Sequence, residues 1–165
     1  MNVQIGISQG KIEEWPKFWP AFSAIVAAED TYGFDPAWTI EEAVDYWFGP
    51  SQTVFFAKDQ AGRILGSFYI RPNGYGPAGH VANAGFMVAP DAQGKGVGRK
   101  MGEAALKIAK EMGYCALQYN CVVSTNQNAI ALWESLGFKI IGTIPEAYRH
   151  KTLGLVDAHI MYRKL

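Results

Sequence analysis

Val3, Ile5 and Ile7 interleave with Asn2, Gln4 and Gly6, a period of two that predicts a first strand. From Ile12 to Ala28 the apolar spacing turns helical. Pro16 suits a first helical turn, but Pro20 is expected to kink or divide the helix, because proline lacks the N–H and crowds the preceding turn. Thr39, with Glu41 and Glu42 after it, predicts a second helix running through Phe48 and stopped by Gly49-Pro50. The period then returns to that of strands. Thr53–Ala57 and Ile64–Ile70 flank a short glycine-containing turn and read as a hairpin, and a further strand follows at 80–88. A long helix is expected over 94–112, with Val97, Met101, Ala104, Ile108 and Met112 on its apolar stripe, an i,i+4 Glu103–Lys107 pair on the other side, and Gly113 as its end. A strand at 115–123, a helix at 126–136 closed by Gly137, and strands at 138–144 and 156–163 complete the chain.

The expected order is β-α-α-β-β-β-α-β-α-β-β. Three strands in succession before the long helix exclude a doubly wound dinucleotide fold and predict a mixed α/β domain on one central sheet. At 165 residues, with 49% hydrophobic side chains and no linker or repeat, 1–165 reads as one domain with a sizeable core. Fifteen basic and fifteen acidic residues give zero formal charge, which argues against a nucleic-acid partner. The N-terminus has no basic start followed by an apolar run, and no stretch has the length of a membrane span, so a cytoplasmic protein off the membrane is expected. Cys115 and Cys121 are too few and too far apart for a disulfide scaffold or a zinc site, so no metal is expected and reduced cysteines are.

The stretch richest in chemistry is Gly85–Arg99. It is a strand that runs through Val88-Ala-Pro into Gln93-Gly-Lys-Gly-Val-Gly-Arg99 and opens a helix. Glycines leave backbone N–H groups uncovered at the positive end of a helix, which suits phosphates, and Lys95, Arg99 and Lys100 add charge. No Ser or Thr follows Lys95, so this is not a P-loop, and G-x-G-x-G is not the dinucleotide spacing. The pattern Q-x-x-G-x-G of Gln93, Gly96 and Gly98 resembles the pyrophosphate loop of the GNAT N-acetyltransferases. Asn126-Gln-Asn-Ala-Ile-Ala-Leu-Trp-Glu-Ser-Leu-Gly-Phe138 is similar to the N-x-x-A-x-x-L-Y-x-x-x-G-F helix of that superfamily.

The resemblance implies a mostly antiparallel sheet splayed between its fourth and fifth strands, with acetyl-CoA inserted there as co-substrate. It implies coenzyme contacts from Met87, Val88, Gln93, Gly94, Lys95, Gly96, Val97, Gly98, Arg99, Asn126, Ala129 and Trp133. The backbone at 87–88, Val88 above all, would pair with the pantetheine arm and steady the oxyanion. Trp133 stands where many relatives carry a tyrosine that protonates the departing thiolate. An indole is no usable acid, but a thiol of pKa about 8.5 leaves well enough near neutral pH. Tyr119 and Tyr148 are the alternative acids, and packing is the plainer role for Trp133.

Asn83-Ala-Gly-Phe86, Tyr119-Asn120, Thr125-Asn126, Leu132-Trp133 and Ile144-Pro145-Glu146-Ala147 resemble the L-azetidine-2-carboxylate (proline-analogue) acetyltransferases. In that group, asparagines at the positions of Asn83, Asn120 and Asn126 shape substrate binding and catalysis. Asn83 and Asn120 could equally satisfy irregular backbone at the splay, and Asn126 could be only a helix cap. Tyr32, with Glu29, Asp30 and Asp35, falls where the family lines its acceptor site. His80 reads as a rim residue rather than a base. The function implied is direct acetyl transfer from acetyl-CoA to the amine of a small molecule or amino acid. A non-catalytic acyl-CoA sensor and an acetyltransferase of protein amines stay open beside it, as does a homodimer formed through exposed strand edges. The neutral charge also divides. Residues 1–85 hold nine acids against five bases, and residues 86–165 hold six acids against ten bases. That split matches an anionic coenzyme on one side and a cationic amine on the other.

Overall fold

Strands apolar on both faces, such as Val54–Ala57, need cover on both, and the computed structural model, which describes residues 4–165, provides it with two helices on each side of one sheet. The strands are β1 (Gly6–Gln9), β2 (Thr53–Lys58), β3 (Ile64–Pro72), β4 (Val81–Val88), β5 (Ala116–Val123), β6 (Lys139–His150) and β7 (Gly154–Lys164). The helices are α1 (Trp15–Ala28), α2 (Ile40–Trp47), α3 (Val97–Glu111) and α4 (Gln127–Ser135). The order is the one expected from the sequence. The sheet runs β1-β2-β3-β4-β5-β7-β6, antiparallel throughout except between β4 and β5.

Period two explains the layers. Val54 and Phe56 of β2 join Trp15, Phe18, Phe22, Val26, Ala43 and Trp47 under α1 and α2. Phe55 and Ala57, pointing the other way, join Val97, Met101, Ala105, Ala109, Ile130 and Trp133 under α3 and α4. Thr39 caps α2 in a reciprocal box with Glu42, as its position before Glu41-Glu42 foretells.

Four expectations are corrected. The first ladder begins at Gly6 and runs to Gln9, later than the predicted 2–7, and Asn2 and Val3 lie outside the described residues. Pro20 does not divide α1. The bond it forgoes would reach the carbonyl of Pro16, still in the first turn, and the buried stripe Trp15-Phe18-Phe22-Val26 runs on past it. The buried stripe of α3 is Val97, Met101, Gly102, Ala105 and Ala109, rotated from the predicted one, and Met112 is exposed. On its polar side Lys107 pairs with Glu111 at 3.8 Å rather than with Glu103. Finally, β6 and β7 are longer than predicted. Pro145 has no N–H and Glu146 is left-handed (φ 50), but the Asp157 carboxylate accepts from the Glu146 N–H at 2.9 Å, so the irregularity is a bulge rather than an end.

Candidate active site

The parallel pairing of β4 with β5 stops after Val81↔Ala116 and Ala82↔Leu117, and from there the strands part. Which peptide groups face the opening follows from the ladder on the other edge of β4. Asn73 N–H bonds Val81 O, and Ala89 N–H bonds Leu65 O. Odd-numbered residues of β4 therefore turn their peptides to β3, and even-numbered ones turn theirs to the opening. Val88 faces the opening with its N–H and C=O. Met87, paired with Ser67, gives its own to β3, so of residues 87 and 88 only Val88 has its peptide open.

Phe86 also faces the opening, but it is already engaged. The Tyr32 hydroxyl donates to Phe86 O and accepts from Phe86 N–H, both at 2.7 Å. One phenol thus stands where a partner strand would. Burial, with Tyr69 nearby, holds the Tyr32 hydroxyl far above its ordinary pKa, so it stays protonated. The Tyr32 carbonyl accepts from Tyr148 OH at 3.0 Å, and Lys151 at the β6–β7 tip reaches Ala27 O at 3.1 Å and Glu29 at 3.6 Å. The hairpin tip and the α1–α2 loop therefore hold each other. Burial, then the charge of Asp30, raises Tyr148 to about 12.

At the outer end of β4 a short turn at Pro90–Ala92 leads through exposed Gln93 to Gly94 (φ 73) and Gly96 (φ 80), left-handed angles that glycine alone adopts readily. A Cβ at either glycine would meet nothing, so the turn is open on that side. The α3 ladder starts with Lys100 N–H to Gly96 O, which leaves the N–H groups of Val97, Gly98 and Arg99 without intrahelical partners. Lys95 and Lys100 are exposed beside them, while Asp91, the nearby acid, is paired with Arg63. Gly98 admits Leu132 of α4: a Cβ there would lie 3.2 Å from that side chain and 3.8 Å from Val88. Arg99 donates to Ser135 Oγ at 2.9 Å, tying α3 to α4. The glycine turn with its free N–H groups, the open Val88 peptide and Leu132 of α4 lie beside one another around Gly98, an arrangement chemically suited to a phosphate-bearing group with an extended arm.

The asparagines have definite partners. Asn83, 6% exposed, spans the opening by donating to Gln118 O at 2.9 Å, and its Oδ1 accepts from Arg71 Nε at 3.3 Å. Asn120 accepts from Gln118 Nε2 at 2.9 Å and donates to Asn73 Oδ1 at 2.7 Å. The two are linked through Gln118 rather than to each other. Asn126 caps α4, accepting from Ala129 N–H at 3.2 Å. Trp133 is buried, 4.8 Å from both the Phe86 and Tyr119 rings, a packing position. Tyr119 OH is buried without a partner, and burial keeps it protonated far past neutral pH. His80 sits exposed on the rim with Nδ1 3.1 Å from Pro77 O. Cys115 and Cys121 are free thiols. Among the described residues no cluster of three metal-ligating side chains occurs, and no helix is long and apolar enough to cross a membrane.

Sequence reasoning missed Arg71, Asn73 and Gln118. A signal existed for the first, since Arg71 is the only Lys or Arg between Arg63 and Lys95 and ends an apolar strand. Residues 15–138 match the Acetyltransferase (GNAT) family. The N-acetyltransferase aca1 of Schizosaccharomyces pombe is 36% identical over 79% of this chain and 70% of its own length. A GCN5-related N-acetyltransferase from Kribbella flavida superposes with TM-score 0.93 at 43% identity, over 98% of each chain. A phosphinothricin acetyltransferase from Sinorhizobium meliloti, solved in complex with AcCoA, shares the fold with TM-score 0.83 at 20% identity, over 100% of this chain and 89% of its own.

Proposed function

The chain belongs to the GNAT acetyltransferase family, and from that premise we propose that it moves an acetyl group from acetyl-CoA directly to the amine of a small molecule or amino acid, proline analogues included. The observation that carries this reading is the open Val88 peptide beside the uncapped start of α3. The N–H groups at 97–99, the glycine turn, Lys95 and Lys100 would hold the pyrophosphate. Val88 would pair with the pantetheine arm and offer its N–H to the thioester oxygen, where negative charge develops. Acetyl-CoA supplies the activated acyl group. The amine forms the C–N bond, the C–S bond breaks, and the proton passes from nitrogen to solvent or to the departing thiolate.

Tyr32, Asn83 and Asn120 line the acceptor side in this reading. Orientation of a deprotonated amine against the thioester is the main source of rate in this reading. Trp133 packs the wall rather than donating a proton, and the Tyr148 hydroxyl is engaged on the Tyr32 carbonyl. Calorimetry with acetyl-CoA, followed by thiol release against a panel of amines, amino acids and peptides, tests the proposal. Submillimolar binding with release that depends on a small amine is expected. Absence of acetyl-CoA binding by folded protein, or release driven only by peptides, overturns it.

A further inference from the structure

Arg71 leaves β3 two residues after Tyr69, on the sheet face covered by α1 and α2, and pairs across the ladder with Asn83. Its Nε donates to the Asn83 side-chain Oδ1 at 3.3 Å, and its guanidinium carbon lies 5.7 Å from the centre of the Tyr69 ring. The ion pairs among the described residues are Lys58–Glu14, Arg63–Asp91, Lys107–Glu111 and Lys151–Glu29, so Arg71 has no acid of its own. Guanidinium carries five donors in a planar fork. Here one is used, a ring and a neutral amide fix the plane, and the group is half-buried. That is a preorganised cation with its far edge unspent.

Its surroundings place it at the acceptor side. The Tyr69 ring lies over Gly85, where a Cβ would come within 2.7 Å of it. Asn83, the direct partner of Arg71, is the residue that bridges to β5. Tyr69 packs 4.9 Å from Trp47, and Trp47 packs 6.3 Å from Tyr32, the residue bonded to Phe86. Beyond Tyr32 comes Tyr148, whose hydroxyl feels the charges of Asp30 and Glu29. One cation and one acid outside the ion pairs of the described residues, Asp30 (Glu29 being held by Lys151), thus flank a set of aromatic rings, the arrangement that a zwitterion complements.

Resting on the reading of this site as an amine acetyltransferase, we propose that Arg71 reads a carboxylate on the acceptor, so that the preferred acceptor is an amino acid rather than a simple amine. A bidentate guanidinium–carboxylate pair fixes direction as well as charge, and it would orient the acceptor nitrogen from a group outside the reacting atoms. Arg71 is therefore a specificity residue and takes no part in proton transfer.

The test compares amino acids with the same molecules as carboxamides, azetidine-2-carboxylate and its carboxamide among them, in the wild type, Arg71→Gln and Arg71→Lys. The wild type is expected to favour the acid over the amide by about tenfold or more in kcat/KM, chiefly through KM. Arg71→Gln should lose that preference, and Arg71→Lys, a charge without the fork, should keep part of it. The acetyl-CoA Kd should be the same in all three, which reports an intact fold and coenzyme site. Equal use of acid and amide by the wild type, or a preference that survives in Arg71→Gln, overturns the role of Arg71 and leaves the amine-transfer reading standing. Transfer to no amine at all, with acetyl-CoA bound, overturns both.

Discussion

Strand β4 has two edges, and they are satisfied in different ways. Toward β3 every residue from Ala82 to Val88 has a partner across a regular antiparallel ladder. Toward β5 the ladder ends at Ala82, and side chains take over: the Asn83 amide reaches Gln118, the Tyr32 phenol closes Phe86, and Val88 is left open beside the glycine turn. The first edge is secured by repetition, where one lost bond is shared among neighbours. The second is secured by single groups drawn from distant parts of the chain. A sheet can tolerate such an edge only where the unpaired peptides meet water or a ligand, so the defect in pairing and the proposed site coincide.

Substitutions along the open edge test that contrast, beginning with the strongest. Gly96→Glu puts a charge and a strained left-handed side chain into the turn, and it should weaken acetyl-CoA at least about 100-fold, about 2.7 kcal/mol. Calorimetry reads this directly, and unchanged affinity would mean that the open end of the edge is not the coenzyme track. Asn83→Ala leaves the Gln118 carbonyl without its donor across the opening and should cost about 2 kcal/mol in denaturant unfolding. A loss below experimental error would show that the bridge holds nothing. Tyr32→Phe deletes one hydroxyl but strands two peptide groups next to the cleft, where water recovers part of the loss, so about 1 kcal/mol is expected. The sharper readout is faster hydrogen exchange at the Phe86 amide, with no change at Met87, whose N–H belongs to the β3 ladder.

The smallest effect is that of pH through Tyr148. Its folded pKa, about 12, lies above the ordinary 10, so its contribution is fully present below pH 10 and fades as the pH rises toward 12. Thermal midpoints followed across that window should fall less steeply in Tyr148→Phe than in the wild type. Parallel curves would assign the alkaline loss to other groups.

What could be read from the sequence was what repeats locally. The apolar run Thr53–Ala57 announces a strand, Thr39 with Glu41 and Glu42 announces a helix start, and Gly94-Lys95-Gly96 announces a glycine turn that opens a helix. The α3 stripe was misjudged because Ala105 and Ala109 carry little hydropathy, yet they are the residues small enough to lie flat on the sheet, whereas Ile108 and Met112 look more apolar and sit further out. The open edge was legible only in part. Val88 came into view only through the family resemblance, and the Tyr32–Phe86 bond spans 54 residues and the Tyr148–Tyr32 bond 116. No local period encodes such contacts, because they depend on where a loop and a hairpin tip meet after the sheet has formed.

That meeting has a consequence for anyone seeking to change what the protein accepts. Lys151 grips Ala27 and Glu29 while Tyr148 grips Tyr32, so the wall of the proposed acceptor site is woven from the segment after the first helix and the tip of the last hairpin. Grafting one of these segments from a relative would leave it facing an unmatched counterpart. Recombination that swaps acceptor preference should succeed when 27–35 and 146–153 travel together, and such paired segments should be inherited as one unit.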